Sequence, residues 1–379
     1  MPAPLFSLFP ALRERLPVVS LGAFPTPVER LAALEAELGC APFYVKRDDR
    51  SSPIYGGNKV RTLEVLFGLA RAHGAREIVA TGAYGSNHAV ATVLHAPRAE
   101  LRSGAILFPQ PKSWAALENF RVSVTRAESL SVLAHWLTLP LAILRARGPG
   151  RSVMVPGGAT PDGALGYISA ALELAEQVQA GELEVPRRIF VGIGSTCTTA
   201  GLLVGFAHAA RLGLGFERAP RVVAVRVTPW PVTSRFRILG LAVRASERLA
   251  ELTGDPKLRL SRAELAPLLV TDGSALGPGY GLPSAPGLAA IELFRRHRLF
   301  ELDTTYSGKA LAGCLAQARS EHDGPFVWWS TKSTAALPRI SADELSRIPR
   351  RARRWIARAE RELAARGELP ADYARLSGA

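Results

Sequence analysis

The stretch Ser52-Pro-Ile-Tyr-Gly-Gly-Asn-Lys-Val-Arg-Thr-Leu-Glu64 places a lysine directly after two glycines and an amide, where an amphipathic segment begins. Glycine allows a backbone to approach a bulky ligand closely. A lysine held in a partly dry pocket can lose its proton and attack a carbonyl group. The pattern therefore suits Lys59 as the attachment point of an aldehyde cofactor. On its own, so short a pattern also fits an exposed lysine at the start of a helix.

Outward from this stretch, short apolar strands alternate with amphipathic helices, which is typical of an α/β protein. The predicted strands cover residues 43–45, 77–81, 105–108, 151–155, 188–191, 222–227 and 326–329. The predicted helices cover residues 60–73, 130–147 with a break or kink at Pro140, 166–180, and a segment that ends at residue 210.

The bulk composition indicates a soluble globular protein. The chain has 379 residues, of which 47% are hydrophobic and 21% charged, so two domains are expected. No apolar run is long enough to cross a membrane, and residues 1–21 lack a signal-peptide layout. Cys40, Cys197 and Cys314 are too far apart for a disulfide framework or a metal site. We therefore expect a cytoplasmic protein.

The net charge of +14 comes from 47 basic and 33 acidic residues. Residues 335–379 hold ten arginines and six acids, and their apolar residues recur at helical spacing. We interpret this segment as a surface helix that docks by one face and exposes its arginines. Binding to nucleic acid is disfavoured, because no nucleic-acid-binding motif accompanies the charge.

Asp48 and Asp49 look superficially like a pair of metal ligands. Lys46, Arg47 and Arg50 flank them, so local salt bridges are favoured over metal binding. No metal site is predicted anywhere in the chain.

The stretch Gly192-Ile-Gly-Ser-Thr-Cys-Thr-Thr-Ala-Gly201 opens a predicted helix and is a candidate phosphate-binding loop. The N–H groups at a helix N-terminus bind phosphate without a lysine, and Ser195, Thr196 and Thr198 could add hydroxyl donors. A Walker-type loop would need Gly-Lys-Ser/Thr, and a dinucleotide fingerprint would need a third glycine in place of Cys197. Neither pattern is present. A Ser/Thr-rich helix cap without a ligand is the alternative.

Six stretches resemble, in order, the pyridoxal-phosphate enzymes of fold type II, and within them the 1-aminocyclopropane-1-carboxylate deaminase/D-cysteine desulfhydrase family. The resemblance spans roughly residues 21–334. The stretches are Phe24-Pro-Thr-Pro27 with Leu31, Tyr55-Gly-Gly-Asn-Lys-Val-Arg61 with Leu63-Glu64, Gly85-Ser-Asn-His88, Gly194-Ser-Thr-Cys-Thr-Thr-Ala-Gly-Leu202, Gly277-Pro-Gly-Tyr-Gly281 and Leu302-Asp-Thr-Thr-Tyr-Ser-Gly-Lys-Ala310.

The resemblance implies an α/β fold similar to the tryptophan synthase β subunit, with two open twisted sheets flanked by helices. Residues 1–65 and 170–334 would form a large cofactor-binding domain, and residues 66–169 a small inserted α/β domain. Residues 335–379 would form a C-terminal helical extension. Pyridoxal 5'-phosphate would lie in the cleft between the two domains. A homodimer is expected, because members of the family are commonly homodimers.

The resemblance also implies which residues hold the cofactor. Lys59 would hold its aldehyde, Asn87 would bind its phenolic oxygen, and Thr331 would lie beside the pyridine nitrogen. The backbone of the phosphate loop would hold the phosphate group. The loop residues concerned are Gly194, Ser195, Thr196, Cys197 and Thr198.

The implied catalytic residues are Lys59, Ser86, Tyr280 and Tyr306. Lys59 would move protons at the substrate Cα, Ser86 would contact the substrate carboxylate or assist ring opening, and the two tyrosines would face the substrate. Ser86 and Asn87 could instead form a helix cap, and the tyrosines could be buried with satisfied hydroxyls. His88 is interpreted as structural, because no nucleophile and carboxylate accompany it.

The chemistry within the family depends on two positions. Ring-opening deaminases carry a glutamate after the second tyrosine and a leucine in the late strand motif, whereas this chain has Ser307 and Thr331. Small hydroxyl residues there resemble the D-cysteine desulfhydrase branch. The resemblance thus favours α,β-elimination from a small amino acid, possibly of D configuration, to give a 2-keto acid and ammonia.

Several departures from the family pattern leave other functions open. Cys197 stands where glycine is more common, so a side chain there is expected to narrow the approach to the phosphate. Trp328-Trp329-Ser330 and Lys332-Ser333 also differ from the usual pattern. The alternatives are β-replacement, racemisation or cyclopropane opening on a larger amino acid of secondary metabolism, or a protein that binds the cofactor without catalysis.

Overall fold

The apolar run Phe326–Trp329 forms the middle of a six-stranded sheet in the computed structural model, which describes residues 3–320, 324–370 and 373. All four of its side chains are buried, as expected for a parallel strand with a neighbour on each side. It pairs in parallel with Phe43–Lys46 on one side and Arg188–Ile193 on the other. The prediction of a strand at 326–329 is confirmed.

The strands among the described residues form two sheets. The larger sheet has the order β1-β2-β10-β7-β8-β9, in which only β1 is antiparallel to its neighbour, and the smaller sheet has the all-parallel order β5-β4-β3-β6. The strands are β1 (Val28–Arg30), β2 (Phe43–Lys46), β3 (Glu77–Ala83), β4 (Arg102–Phe108), β5 (Ser129–Val132), β6 (Arg151–Val153), β7 (Arg188–Ile193), β8 (Arg221–Arg226), β9 (Leu269–Asp272) and β10 (Phe326–Trp329).

Helices cover both sheets, as the fold prediction required. The α-helices are α1 (Ala3–Leu8), α2 (Leu12–Arg15), α3 (Ala32–Leu38), α4 (Lys59–Ala72), α5 (Asn87–His95), α6 (Trp114–Arg126), α7 (Leu139–Ala146), α8 (Pro161–Gln179), α9 (Cys197–Arg211), α10 (Arg235–Thr253), α11 (Arg262–Leu265), α12 (Ala285–Arg296), α13 (Ser307–Ser320), α14 (Ala342–Ser346) and α15 (Arg350–Ala365). Short 3₁₀ helices cover Asp48–Arg50, Ala96–Ala99, Trp136–Thr138, Pro156–Gly158, Pro256–Leu258 and Ala266–Leu268.

Three apolar cores hold these layers together. One lies between the larger sheet and helices α8, α9 and α10, and a second lies on the opposite face of that sheet beneath α12 and α13. The third surrounds the smaller sheet and includes α4, α5 and α6. The smaller sheet runs from residue 77 to residue 153, inside the predicted insertion, whereas α8 crosses the predicted boundary at 170 and packs on the larger sheet. The domain bounds themselves stay predictions.

The prediction of a helix over residues 130–147 is wrong in its first half. Ser129–Val132 is a strand that pairs in parallel with β4, and α7 begins only at Leu139, with Pro140 in its first turn. The alternation Ser-Leu-Ser-Val has the two-residue period of a strand, and proline is tolerated at a helix start. Helix α6 was not predicted from the sequence. It begins after Ser113, whose side chain caps the helix by accepting a hydrogen bond from the Ala116 N–H.

The C-terminal segment forms the predicted helix docked by one face. Ala352, Ile356, Ala359 and Leu363 of α15 are buried in the core of the smaller sheet, while its arginines lie in solvent. Trp355 also packs edge-on against the aromatic rings of that core. Of the predicted extension 335–379, residues 371, 372 and 374–379 lie outside the described part. Among the described residues, no helix combines the length and apolarity needed to cross a bilayer.

A buried ionic network joins the end of β2 to α4 and α8. The guanidinium of Arg61 lies 2.8 Å from both Asp48 and Glu173, and the ammonium of Lys46 lies 2.6 Å from Glu173. All four side chains are at most 3% exposed. Two cations and two anions balance, so the network fixes the first turn of α4 without a net buried charge.

The predicted local salt bridge is confirmed at Asp49 but not at Asp48. Asp49 pairs with Arg47 at 2.8 Å, as expected for a flanking residue, whereas Asp48 pairs with the more distant Arg61. Across the described residues, no group of three or more histidine, cysteine or acidic side chains is placed to hold a metal ion.

Candidate active site

The lysine loop depends on two glycines that touch the protein's own backbone. A Cβ at Gly56 would lie 2.3 Å from the carbonyl oxygen of Asp49, and a Cβ at Gly57 would lie 2.5 Å from that of Thr331. Gly57 also has a φ of +88°, which favours glycine. The sequence suggested that these glycines make room for a ligand. The structure shows that they make room for the protein's own backbone. Gly56 lets the loop pack against Asp49, and Gly57 lets it pack against Thr331 just after β10, where the N–H of Asn58 donates to the Thr331 carbonyl at 2.9 Å.

We expect Gly57→Ala to lower the free energy of unfolding more than Gly74→Ala does. Both glycines have a left-handed φ, but nothing lies within 4 Å of a Cβ at Gly74. Gly74→Ala should lower the free energy of unfolding by about 1 kcal/mol, the cost of a left-handed φ for alanine. Gly57→Ala should lower it by about 1–3 kcal/mol more, because the backbone at Thr331 must also move. Urea denaturation of the two variants checks this, and equal costs would contradict the packing role of Gly57.

Lys59 is the first residue of α4, and its side chain is 8% exposed. Its ammonium donates to the Ser195 hydroxyl and the Gly157 carbonyl, both at 3.3 Å. Burial lowers the pKa of this ammonium from its ordinary value. The amine is thus held beside the candidate phosphate loop in a setting that favours its neutral, nucleophilic form.

The candidate phosphate loop follows β7 at the carboxyl edge of the larger sheet and leads into α9. Asn58 ties it to the lysine loop, because its side-chain amide donates to the Thr198 hydroxyl at 2.9 Å. A Cβ at Gly194 would lie 2.9 Å from the Tyr306 hydroxyl, so glycine is required for this contact. Thr196 is the residue before the helix and is buried. The loop therefore presents the N-terminus of α9 next to Lys59.

The side chain of Cys197 does not narrow this cradle. Its sulfur is fully buried, donates to the Gly158 carbonyl at 3.3 Å and lies 3.9 Å from the Thr62 hydroxyl. Its N–H donates to the Ser195 carbonyl within the loop at 2.5 Å. The expectation of a narrowed approach at Cys197 is therefore wrong, because the side chain packs into the core behind the loop.

Ser86 and Asn87 begin α5 at the carboxyl end of β3. Ser86 caps this helix, because its hydroxyl accepts a hydrogen bond from the Ala89 N–H at 3.3 Å. The helix cap that the sequence offered as an alternative role for Ser86 is therefore observed. Asn87 has a different role. Its Oδ1 accepts from the Tyr55 hydroxyl at 2.9 Å and from the Asn119 amide at 2.7 Å. Its Nδ2 is left to donate elsewhere, as the binding of a phenolic oxygen requires.

His88 is buried, and neither ring nitrogen has a hydrogen-bond partner among the described residues. Burial and the nearby Lys59 lower the pKa of His88 to about 3, so the ring is neutral. An unpartnered polar group in such a place is unfavourable. Among the described residues, the cost of burying this imidazole is therefore left uncompensated.

Tyr280 and Tyr306 meet with 3.0 Å between their hydroxyl oxygens. Burial raises the pKa of both phenols, so both are neutral donors near pH 7. They line one gap together with Asn87 and Lys332. Thr331 follows β10 and is buried. The fold thus brings Asn87, Tyr280 and Tyr306 to one gap, sets Lys59 beside Ser195 of the phosphate loop, and joins that loop to Tyr306 at Gly194.

Glu118 lies on α6 near this gap, and burial raises the pKa of its carboxyl to about 7 although Lys332 and Arg121 lower it. The folded state therefore keeps a proton that the unfolded chain releases near pH 4.5, so the carboxyl becomes destabilising as the pH rises from 4.5 to 7. We expect Glu118→Gln to raise the free energy of unfolding at pH 8 by about 1–3 kcal/mol and to change it little at pH 4.

Urea denaturation of wild type and Glu118→Gln at the two pH values measures this difference. Glu217→Gln, which changes an exposed carboxyl, is the control and should show no pH-dependent gain. A gain of the same size at pH 4 and pH 8 would show that ionisation of Glu118 is not the cause.

Three residues of the site were missed by sequence reasoning. Tyr55 and Asn119 orient Asn87, and Lys332 donates to the Tyr55 hydroxyl at 3.1 Å. Tyr55 lies within the lysine motif, and Lys332 was noted only as a departure from the family pattern. Asn119 had no local signal, because it lies on a helix that the sequence did not predict.

The comparisons with known proteins agree with this geometry. A family model described as "Pyridoxal-phosphate dependent enzyme" matches residues 19–329. Nocardicin C-9' epimerase of Nocardia uniformis subsp. tsuyamanensis is 33% identical over 331 residues, covering 84% of this chain and 93% of the relative. D-cysteine desulfhydrase of Serratia proteamaculans (strain 568) is 33% identical over 336 residues, covering 85% of this chain and 96% of the relative.

Solved structures share the fold. A homologue of ACC deaminase has a TM-score of 0.68 at 28% identity, covering 87% of this chain and 95% of that one. A fungal L-serine ammonia-lyase from Rhizomucor miehei has a TM-score of 0.57 at 16% identity, covering 90% and 99%. Fold and site define an α/β enzyme of fold type II that uses pyridoxal phosphate. The chain belongs to the pyridoxal-phosphate-dependent enzyme family, which confirms the resemblance inferred from its motifs.

Proposed function

We propose that this enzyme is a lyase that removes a β-substituent from a small amino acid, as D-cysteine desulfhydrase does, and yields a 2-keto acid and ammonia. The observation that carries the proposal is the 3.3 Å contact between the Lys59 ammonium and the Ser195 hydroxyl. This contact sets the amine that would hold an aldehyde beside the loop that would hold a phosphate. The similarity to D-cysteine desulfhydrase along most of both chains supports the choice of reaction.

The residues of the cleft fit pyridoxal phosphate. Lys59 supplies a buried amine for the aldehyde, the N-terminus of α9 supplies donors for the phosphate, and the Nδ2 of Asn87 supplies a donor for the phenolic oxygen. We assign Thr331, at the end of β10, to the pyridine nitrogen. A hydroxyl there leaves that nitrogen largely neutral, and the bound cofactor would supply moderate electron withdrawal from the substrate Cα.

The chain's own residues would then move the protons. Lys59 removes the Cα proton, and the Cα–H electrons form a double bond to Cβ as the bond from Cβ to the leaving group breaks. The Tyr280–Tyr306 pair faces the leaving group and, because both phenols are neutral, can donate a proton to it. Ser86 contacts the substrate carboxylate at the start of α5. With D-cysteine, the products after hydrolysis are pyruvate, sulfide and ammonia.

Epimerisation at Cα is a second candidate function. It is favoured by the 33% identity to nocardicin C-9' epimerase, which matches that to D-cysteine desulfhydrase. In this reaction, the Cα proton is removed from one face, a proton that has exchanged with solvent is delivered to the opposite face, and no bond at Cβ breaks.

One set of assays tests the proposal. The enzyme, saturated with pyridoxal phosphate, is incubated in D₂O with D- and L-cysteine and D- and L-serine, and pyruvate, ammonia, sulfide and the configuration of the remaining amino acid are measured. Elimination predicts equal pyruvate and ammonia. If the opposite enantiomer is recovered with deuterium at Cα and no pyruvate forms, the reaction is epimerisation and not elimination. A new amino acid that forms only on addition of a thiol would indicate β-replacement.

We also propose that the enzyme is a cytoplasmic homodimer. The three cysteines are unpaired, which suits a reducing compartment. Trp136, Leu137, Leu141 and Leu144 are exposed together around α7, and an apolar surface of this kind suits a subunit interface. Light scattering after size exclusion should give twice the mass of the chain, and a monomeric mass would contradict the dimer.

A further inference from the structure

Lys332 brings a cation into the cleft from the larger sheet. It follows the carboxyl end of β10, and its backbone forms a bridge with Gly57 of the lysine loop. Its half-buried side chain reaches the Tyr55 hydroxyl at 3.1 Å, and its nitrogen lies 4.9 Å from the centre of the Tyr55 ring. The ammonium therefore lies beside the gap that Tyr280 and Tyr306 also line.

This ammonium has no carboxylate partner among the described residues. Asp303 lines the same gap, but its carboxylate accepts the N–H groups of Thr305, Tyr306 and Ser307 at 2.8–2.9 Å. Burial lowers the pKa of Lys332, but the Tyr55 hydroxyl that accepts its hydrogen bond and the charge of Asp303 outweigh this effect and raise it, so the ammonium stays charged at neutral pH. Glu118 has a pKa of about 7 and is largely protonated below neutral pH.

A half-buried ammonium with a single neutral acceptor is poorly satisfied, since it has three N–H donors. The other polar side chains that line the gap are also neutral: the amides of Asn87, Gln110 and Asn119 and the hydroxyls of Tyr280, Thr305 and Tyr306. An anion that enters this gap would gain a charge-assisted hydrogen bond from Lys332, and an uncharged group of the same shape would not.

We propose that Lys332 is a specificity residue that binds an acidic group at the far end of the substrate side chain. This inference rests on the proposed function, because it takes the gap beside Tyr280 and Tyr306 as the place of the substrate side chain. The preferred substrates are then amino acids with a second acidic group beyond Cβ. Amino acids with a neutral side chain are bound more weakly.

Glutamate and glutamine provide the test, because they have nearly the same shape, differ by one negative charge and carry no leaving group at Cβ. Their dissociation constants are measured, for both enantiomers, from the change in cofactor absorbance of the holoenzyme. For the better-bound enantiomer, we expect wild type to prefer glutamate by about tenfold or more. Lys332→Met should reduce this preference to about twofold or less, and Lys332→Arg should keep most of it. Lys112→Met, which removes a lysine paired with Glu362 outside the gap, should leave it unchanged.

Equal affinity of wild type for the two amino acids would overturn the proposal, as would a preference that survives in Lys332→Met. If Lys332→Met weakens both ligands equally, Lys332 acts on the cofactor through Tyr55 and Asn87 instead, and the proposal fails. Failure of either ligand to bind also overturns it. If D-cysteine gives no pyruvate, only the proposed elimination fails. The role of Lys332 is tested separately, because the dissociation constants are measured without turnover.

Discussion

Lys59→Met is expected to lower turnover by roughly 10³-fold or more. Methionine keeps the length and apolar stem of the side chain but has no amine to hold an aldehyde or to take a proton from the substrate Cα. No other lysine contacts the phosphate loop among the described residues, so none can take over. The measurement is the rate of pyruvate formation from the substrate found in the product assay, with enzyme saturated in cofactor.

The same variant separates chemistry from folding. The Lys59 amine is buried and makes two long hydrogen bonds of 3.3 Å, so its removal also removes the cost of desolvating a polar group. The free energy of unfolding of the cofactor-free Lys59→Met protein should therefore not fall by more than about 1 kcal/mol. Borohydride reduction followed by peptide mass analysis should attach the cofactor to residue 59 in wild type, and to no residue in the variant.

Lys257→Met, which changes an exposed lysine, is the control and should keep full turnover. Turnover that persists in Lys59→Met, or cofactor attached to another lysine, would show that Lys59 has been assigned wrongly. Lys59→Arg should be as inactive as Lys59→Met, because arginine keeps the charge but does not deprotonate.

Glu173→Gln is expected to lower the free energy of unfolding by about 3–5 kcal/mol. Glu173 accepts from Lys46 at 2.6 Å and from both terminal nitrogens of Arg61 at 2.8 and 2.9 Å. Glutamine keeps the shape but leaves two buried cations with Asp48 as their remaining anion. Because Arg61 lies one half-turn after Lys59 on α4, the loss should also lower affinity for the cofactor.

Urea denaturation of wild type and Glu173→Gln at pH 7 measures this cost. The matched control is Asp343→Asn, which breaks the exposed pair with Arg347 and should cost less than about 1 kcal/mol. Equal costs for the two variants would mean that burial adds nothing to the ion pair at Glu173.

The pH dependence of the Glu173 effect has a definite sign. Burial raises the pKa of Glu173, but the opposite effect of Arg61 and Lys46 is larger. The pKa is therefore lowered from an ordinary 4.5 to about 2. The stabilisation is therefore complete above pH 4.5 and is lost as the pH falls toward 2. The gap between wild type and Glu173→Gln should stay constant from pH 7 to pH 5 and shrink below that.

Much of the fold was predictable because its signals are local. The apolar runs at β2, β7, β8 and β10 could be located because central parallel strands are buried on both faces. The helix of the C-terminal segment could be located because its apolar residues recur at helical spacing. The strand β5 was missed although its four residues alternate serine with apolar residues, because this signal is short and a helical segment follows it closely.

The candidate site was predictable as a set of loops but not as a set of contacts. The loops converge because β2, β7 and β10 are parallel neighbours, so their carboxyl ends share one edge of the sheet. The direction of a side chain within a loop was not predictable. Cys197 was expected to face the phosphate and instead packs into the core, because the backbone of the loop turns its sulfur toward the Gly158 carbonyl.

The sequence by itself determined the family, the cofactor and the lysine that is proposed to hold it, because the order of short motifs along the chain is a local property. The tertiary structure decided which distant groups meet. Lys332 reaches Tyr55 across 277 positions, and Glu173 reaches Arg61 across 112. Such contacts depend on strand order and on the packing of whole helices, which no local pattern of residues specifies.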